Sequence, residues 1–332
     1  MKLDSRNKRI LYELWNDARI PASQIAKKLN LSREVVEYRI KQLIKDKYIQ
    51  EFITIIDTNR LGYKQYTIHL QLKNFEEEKE AEIITYLKNH DYVKWIVTSS
   101  GKWDVIFNMI AKNEQQFDDI LSKICYDIKD NLRTYNVFSQ TKLYKDADIL
   151  FLKEKEETQT WKKEEKQTKI KLDEKDLKIL ELLSRNARAH ILEIAKNVQL
   201  TPEAVSYRIK KLKSQGIIKN FRAVINISKL DQLWYYLMLQ VEGLDPQAEK
   251  DIKGFFKEHK KIFFVDKLIG EWNLRIEVLA KDHEEFHKIF MQIRKKLQDY
   301  LKSYELSIIF KDLHQVSYTN GIIKELKKEI II

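Results

Sequence analysis

Residues 31–43 read LSREVVEYRIKQL and residues 200–212 read LTPEAVSYRIKKL. The same displacement of 169 positions aligns LDSRNKRILYEL (3–14) with LDEKDLKILELL (172–183) and NDARIPASQIAKKLNLS (16–32) with RNARAHILEIAKNVQLT (185–201). About 22 of the 60 residue pairs in this stretch are identical, which chance does not produce. The register continues downstream without a gap, bringing Tyr66 onto Tyr235, Gln71 onto Gln240, His90 onto His259, Gly101 onto Gly270, Trp103 onto Trp272, Phe117 onto Phe286 and Tyr135 onto Tyr304. A period this long is not a solenoid repeat. It is one two-domain unit written twice, so whatever copy one folds into, copy two must fold into as well.

Each copy divides by hydrophobic period. In copy one Leu3, Ile10, Leu11 and Leu14 form a helical stripe, and Ile25, Ala26 and Leu29 a second short helix ended by Asn30. Ser32 then caps a third helix with Val36, Ile40 and Leu43 turned inward. Copy two repeats this with Thr201 as cap, Pro202 at the first helical position and Val205, Ile209 and Leu212 inward; Gly216 ends that helix where copy one has Lys47. Downstream the period shifts towards two, with IQEFITIID and YTIHLQL reading as strands. A helix near 77–89, two strands around Gly101, a helix near 114–130 and a last strand follow. That order is the ferredoxin-like split βαβ unit, one sheet with both helices on one face. The expected class is α+β, two copies of a winged-type helix-turn-helix followed by a βαββαβ domain. The boundaries fall at 1–60, 61–145, 172–229 and 230–320, with a charged linker at 146–171 anchored by Ile149, Leu150 and Phe151.

Charge says where to look for a partner. Of the formal net charge of +11, residues 1–60 hold 13 Lys/Arg against 8 Asp/Glu and residues 172–231 hold 12 against 7. The basic excess therefore sits on the two three-helix heads, the footprint of a polyanion binder. No apolar run is long enough to span a bilayer, and the charged N-terminus is no signal peptide. One cysteine, Cys125, flanked by Ile124 and Ile128, reads as a buried thiol in a reducing compartment, and so as a cytoplasmic chain. Neither a phosphate-cradling glycine loop, nor Cys/His metal spacing, nor a nucleophile elbow is present, so no cofactor, metal or catalytic residue is expected.

Three short helices with the third opened by Ser or Thr make a helix-turn-helix, whose last helix enters the major groove of double-stranded DNA. Lys41, Arg39, Lys210, Lys211 and Arg208 are then candidates for phosphate attraction. Arg33, Glu37, Tyr38, Ser206 and Tyr207 are candidates for base reading, with Ser32, Thr201 and Pro202 opening the helices.

LDxxDxxIL, NARxxxxxIA and LTPEAVSYRIKKLKSQGIIKNFRAVIN, followed by a βαββαβ unit holding G-x-W-D, resemble the leucine-responsive/AsnC family of transcription regulators. Copy two matches almost motif for motif across 172–226 and copy one somewhat less closely. The resemblance implies that the sheet domains pair face to face and space two DNA readers. It also implies a pocket for an amino acid or similar effector near the loop of the Gly-containing strand pair. That loop maps to Thr98, Ser99, Ser100, Gly101 and Asp104 in copy one, and to Leu268, Ile269, Gly270 and Asn273 in copy two. Asp104 would suit an effector ammonium group better than the neutral Asn273, so copy one is expected to keep the site and copy two to have lost it; hairpin glycines with no ligand are the alternative. A usual member carries one copy. Here the two sheets are expected to form a pseudo-dimer within the chain, with pairing between chains and higher oligomers left open by the sequence.

Two other readings share these features. Siroheme decarboxylases use a similar two-domain unit and resemble a pattern with a His-Asn-Tyr run before the central hairpin; VKWIVTSSGKWD and KIFFVDKLIGEWN carry no histidine there. His90 and His259 lie ahead of these strands and read as helix C-terminal residues. An architectural protein coating DNA without sequence preference would also be basic and tandem, and differs in its salt dependence and lack of a preferred site.

Overall fold

The computed structural model describes residues 3–73, 76–149, 152, 172–316 and 318–331. Most of the expected linker, with Leu150 and Phe151, lies outside the described residues. The chain divides into two compact units, one comprising Met1–Tyr63, Leu152–Asn226 and Val316–Ile332, the other Lys64–Phe151 and Ile227–Gln315.

In the first unit, copy one contributes α1 (Ser5–Asn16), α2 (Ala22–Leu29), α3 (Arg33–Lys45) and β1 (Ile49–Ile56). The Asp4 carboxylate caps α1 by accepting the Asn7 N–H at 2.7 Å. Asn30 makes the turn into α3 in the left-handed region (φ 53°), and Ser32 Oγ accepts the Val35 N–H. Each cap satisfies a backbone donor that the helix itself cannot.

Copy two's elements, numbered in chain order after those of copy one's sheet domain, begin with α6 (Glu174–Arg185) and continue through α7 (Ile191–Val198), α8 (Pro202–Ser214) and β6 (Ile218–Ile225). Asp173 and Asp176 form a capping box on α6, and Thr201 caps α8.

Each head brings only one wing strand, and the two strands complete each other. β1 and β6 pair antiparallel, Phe52 opposite Ala223 and Thr54 opposite Phe221. The joint is reciprocal. Ala18 N–H donates to Phe221 O and Ala187 N–H to Phe52 O; Asp57 N–H donates to Ile217 O and Asn226 N–H to Tyr48 O. Arg19 lies over the Phe221 ring and Arg188 over Phe52. Every one of these pairs is related by the 169-residue shift, so the heads meet about a pseudo-twofold.

One element has no counterpart in the repeat reading. α11 (Asn320–Ile331), at the chain's end, packs on α6, with Ile322 fully buried and Lys327 Nζ 3.0 Å from Glu181 Oε2. Tyr63 OH donates to Glu325 from the far side of the sequence.

The second unit holds both βαββαβ domains. Copy one runs β2 (Lys64–Leu72), α4 (Glu77–Lys88), β3 (Val93–Ser100), β4 (Val105–Ala111), α5 (Glu114–Asp127) and β5 (Leu132–Lys145). Copy two runs β7 (Leu233–Val241), α9 (Pro246–Glu258), β8 (Ile262–Ile269), β9 (Leu274–Ala280), α10 (His283–Leu297) and β10 (Leu301–Gln315). Strand orders are β3-β4-β2-β5 and β8-β9-β7-β10, the same in both copies. One face of each sheet packs its own core; Ile68, Leu70, Phe107, Met109 and Ile124 lead in copy one, Leu237, Leu239, Ile276, Val278 and Ile293 in copy two. The repeated Tyr and Phe pairs stack in both, Tyr66 on Phe117 and Tyr235 on Phe286.

The sheets do more than face each other. They are joined at both edges, β5 to β8 and β10 to β3, into a closed eight-stranded barrel. The physical reason is strand length. β5 and β10 run 14 and 15 residues against seven to nine for the others, and their excess reaches the opposite sheet's edge. Closure leaves neither edge free for pairing with another chain.

After β5 the chain is tied to copy two. Lys145 is buried, its Nζ 2.8 Å from His259 O and 3.1 Å from Asp148, and Ile149 is fully buried. Cys125 is half-buried rather than buried, its thiol pushed up by the partial burial.

Candidate DNA-binding face and hairpin loops

α3 and α8 present the residues the sequence singled out. Val36, Ile40 and Leu43 are buried in α3, and Val205, Ile209 and Leu212 in α8, which turns the remaining positions outward. Tyr38 and Tyr207 stand 61% and 69% exposed, an arrangement that leaves large apolar rings in water unless something covers them. Lys41, Lys210 and Lys211 are exposed. Arg33 and Glu37 pair one turn apart, Nε to Oε1 at 2.7 Å, so this guanidinium is held on the helix surface by its neighbour. Copy two has Pro202 and Ser206 at these places and carries no such pair.

Arg39 and Arg208 are different. Arg39 Nη1 lies 2.8 Å from Asp4 Oδ2 and 2.9 Å from Asn7 Oδ1. Arg208 Nη1 lies 2.7 Å from both Asp173 Oδ2 and Asp176 Oδ1, and hydrogen bonds to these two carboxylates raise its pKa. The sequence expects both arginines at phosphate; in the structure each guanidinium is engaged within its own head. Each ties the third helix of its head to the N-cap of the first.

The sequence reading missed the other wall of the face. A cleft of about 510 Å³ is lined by Pro21, Ala22 and Ser23 at the start of α2, by Arg33, Glu37, Ile40 and Lys41 of α3, and by Arg188 of copy two. The signal was present as Ala-Arg in both turns, Ala18-Arg19 and Ala187-Arg188. Its meaning depended on the wing strands crossing between copies. Burial lowers the pKa of both arginines, and Arg19 Nη1 donates to Ala187 O and Ala189 O at 2.7 and 2.9 Å.

At the hairpin of copy one, Thr98 and Ser99 are buried, Ser99 Oγ donates to Trp103 O, and Ser100 and Gly101 form the tip. Gly101 has φ 108° and lies against Leu306 O and Ser307, so no side chain would fit there without strain. Asp104 Oδ2 accepts the Leu72 N–H at 2.7 Å. In copy two Asn273 does this job twice, accepting from Val241 N–H at 2.9 Å and donating to Val241 O at 2.7 Å. The Asp-to-Asn difference thus has a backbone reason, and Asp104 is no less structural than Asn273. Gly270 lies against Phe138, Leu268 is buried and Ile269 exposed.

A pocket of about 210 Å³ opens beside copy two's loop, lined by Tyr144, Val241, Gly243, Leu244, Lys267, Asn273 and Leu274. Next to it Glu249 accepts from Tyr144 OH and Lys142, which hold its pKa down to about 2. His90 and His259, at the ends of α4 and α9, each accept a nearby backbone N–H, from Tyr92 and Lys261, and burial lowers the pKa of both.

Two basic three-helix heads joined by a shared wing define a winged helix-turn-helix DNA-binding protein. The winged helix-turn-helix DNA-binding family model matches twice, at residues 3–50 and 172–219. An HTH-type transcriptional regulator of Pyrococcus furiosus is 34% identical over 135 residues, 40% of this chain and 84% of that protein. The regulator LrpA of Pyrococcus horikoshii is 33% identical over 120 residues, 36% of this chain and 84% of its own length. The chain belongs to the leucine-responsive/AsnC family of transcription regulators, with the family's unit present in tandem. Among solved structures, the siroheme decarboxylase NirDL aligns over 99% of this chain and 98% of its own, with a TM-score of 0.63 and 16% identity. That likeness is one of fold. No helix among the described residues is long and apolar enough to cross a membrane.

Proposed function

We propose that this regulator reads an asymmetric operator, α3 and α8 each taking one of two non-identical half-sites on the same duplex. The observation that carries the reading is the reciprocal wing joint, which builds both heads into one body while their recognition helices differ. α3 offers a paired Arg33 and Glu37, suited to a guanine edge or a cytosine amino group, and α8 offers Pro202 and Ser206. Tyr38 and Tyr207 supply apolar contact in both halves, and Lys41, Lys210 and Lys211 attract phosphate. Selection of bound fragments from random DNA should return two dissimilar half-sites. A clean inverted repeat would sink the proposal, and binding with steep salt dependence but no preferred sequence would favour an architectural role.

The loop pocket of copy two supports a second element of the reading, modulation by a small carboxylate-bearing effector such as an amino acid. Lys267 lines that pocket beside the polar edge of Asn273. Isothermal titration with the amino acids should give heat that Lys267→Ala abolishes; no heat with any of them removes the effector. The full-length likeness in fold to a siroheme decarboxylase makes one control worthwhile. Incubation with siroheme is expected to leave its absorption spectrum unchanged.

A further inference from the structure

The barrel buries a cluster of charged side chains on copy two's strands. Arg275 on β9 is 1% exposed and forms a two-point ion pair with Asp266 on β8, Nε to Oδ1 at 2.8 Å and Nη2 to Oδ2 at 2.5 Å. Glu277, also buried, lies 3.9 Å from the same guanidinium and accepts from Trp234 Nε1 at 3.0 Å. These three charged groups all belong to copy two, and copy one supplies two further partners. Gln140 Nε2 donates to Asp266 Oδ2 at 2.7 Å, and Thr67 Oγ1 accepts from Arg275 Nη1 at 3.3 Å. Tyr236 OH, 3.4 Å from the same Nη1, meets His69 Nε2 at 3.0 Å, and that imidazole is wholly buried.

The 169-residue shift shows what each copy would offer a partner like itself. Where copy two has Asp266, Arg275 and Glu277, copy one has Val97, Ile106 and Asn108; where copy one has Thr67, His69 and Gln140, copy two has Tyr236, Met238 and Ile309. Two copy-two sheets closed together would bury two full charge sets, with Ile309 beside each Asp266 in place of Gln140. Two copy-one sheets would bury two histidines with Thr67 where each needs the Tyr236 hydroxyl. Both like pairings strand buried polar groups that the mixed pairing partners, and His69 Nδ1 alone of the imidazole's two nitrogens stays unpartnered in the mixed pairing.

We infer that the Asp266–Arg275–Glu277 set and its copy-one partners Gln140, Thr67 and His69 form a recognition device that makes the two sheets obligate complements. The partner each sheet fits is the other repeat, and a second copy of itself is rejected. Buried ion pairs contribute little net stability but discriminate strongly between partners, because the wrong partner leaves a charge unmet. The device is independent of the DNA reading, since no residue in it lies on the helix-turn-helix heads.

The test uses the whole chain, cut after folding at a protease site placed within residues 160–165, with both halves retained. After unfolding and joint refolding, native mass spectrometry counts mixed and like pairs. The parent should give mixed pairs in more than about tenfold excess over like pairs. Asp266→Val, Arg275→Ile and Glu277→Asn together give copy two the residues of copy one, and should bring the ratio close to the statistical one, in which about half of the pairs are mixed. Gln140→Ile, which leaves the charges in place and changes one position, should lower the excess part of the way and serves if the triple variant does not refold. A parent that refolds to the statistical mixture overturns the inference. So does a triple variant that still forms only mixed pairs, or, where that variant does not refold, a Gln140→Ile chain whose excess equals the parent's.

Discussion

Arg39 and Lys41 stand two positions apart on α3, yet one faces the first helix of its own head and the other faces solvent. Arg39 and Arg208 keep 19% and 24% of their side-chain surface in water and are held by the Asp4 and Asp173 carboxylates. Replacing either by Ala should cost about 1–2 kcal/mol of stability, read by thermal unfolding, with the salt dependence of DNA binding unchanged. Lys41→Ala with Lys210→Ala should do the reverse, lowering the slope of log K against log salt by about 2 with little effect on unfolding. The exposure of these lysines was legible, because the buried stripe of each third helix turns their positions to solvent. The anchoring of the arginines was not, because nothing in the local sequence says that a helix N-cap comes within reach 35 residues away. Asp266 and Arg275 were equally hidden. Their mutual pairing crosses a single hairpin, nine residues apart, but Gln140 and Thr67, which complete it, sit on strands far off in the chain.

Glu277 has a pH signature. Burial raises its pKa to about 7 from the ordinary 4.5, against the opposing pull of Arg275 and with Asp266 adding to the rise. Between those values the folded chain binds a proton that the unfolded chain has released, so stability falls as pH rises from about 4.5 to 7 and then levels. Glu277→Gln cannot titrate. The difference in Tm, wild type minus variant, should therefore decrease across that window and stay flat above it.

At the scale of elements, the helix caps and the stripes of α1 to α3 could be read directly, since Ser32, Thr201 and the i, i+4, i+7 spacing are local facts. The wing was only half visible. A strand after the third helix shows in the β-branched run, but that its partner is the other copy's strand does not. α11 was overlooked because the repeat ends before it, although Ile322, Ile323 and Leu326 have helical spacing. Where the copies differ within one element, the structure gives a reason. After α8 the chain turns on Gly216 at φ 71°, while after α3 Lys47 occupies the same left-handed region at φ 57°. A side chain there costs about 1–2 kcal/mol relative to glycine, offset in part by the glycine's freedom in the unfolded chain. Lys47→Gly should raise stability by about 0.5–1 kcal/mol, measured by denaturant midpoint.

For the molecule as a whole, one chain carries both readers. If a single chain suffices, its affinity for a full operator should not fall on dilution as that of a dissociating dimer would, and titration should end at one chain per duplex. Band-shift titrations at several duplex concentrations check both. A dependence of apparent affinity on protein concentration, with two chains per duplex, would point to assembly of chains on DNA.

The reciprocal wing joint has a consequence for how such a protein can change. In a regulator made of two identical subunits, any substitution near the symmetry axis occurs twice and must be tolerated against its own image. Here Ala18 meets Phe221 and Ala187 meets Phe52 through separately encoded residues, so each side of the axis can drift while the other stays put. On the proposed asymmetric operator, a heritable change at one reading surface would reach one end of the bound DNA and leave the other end as it was.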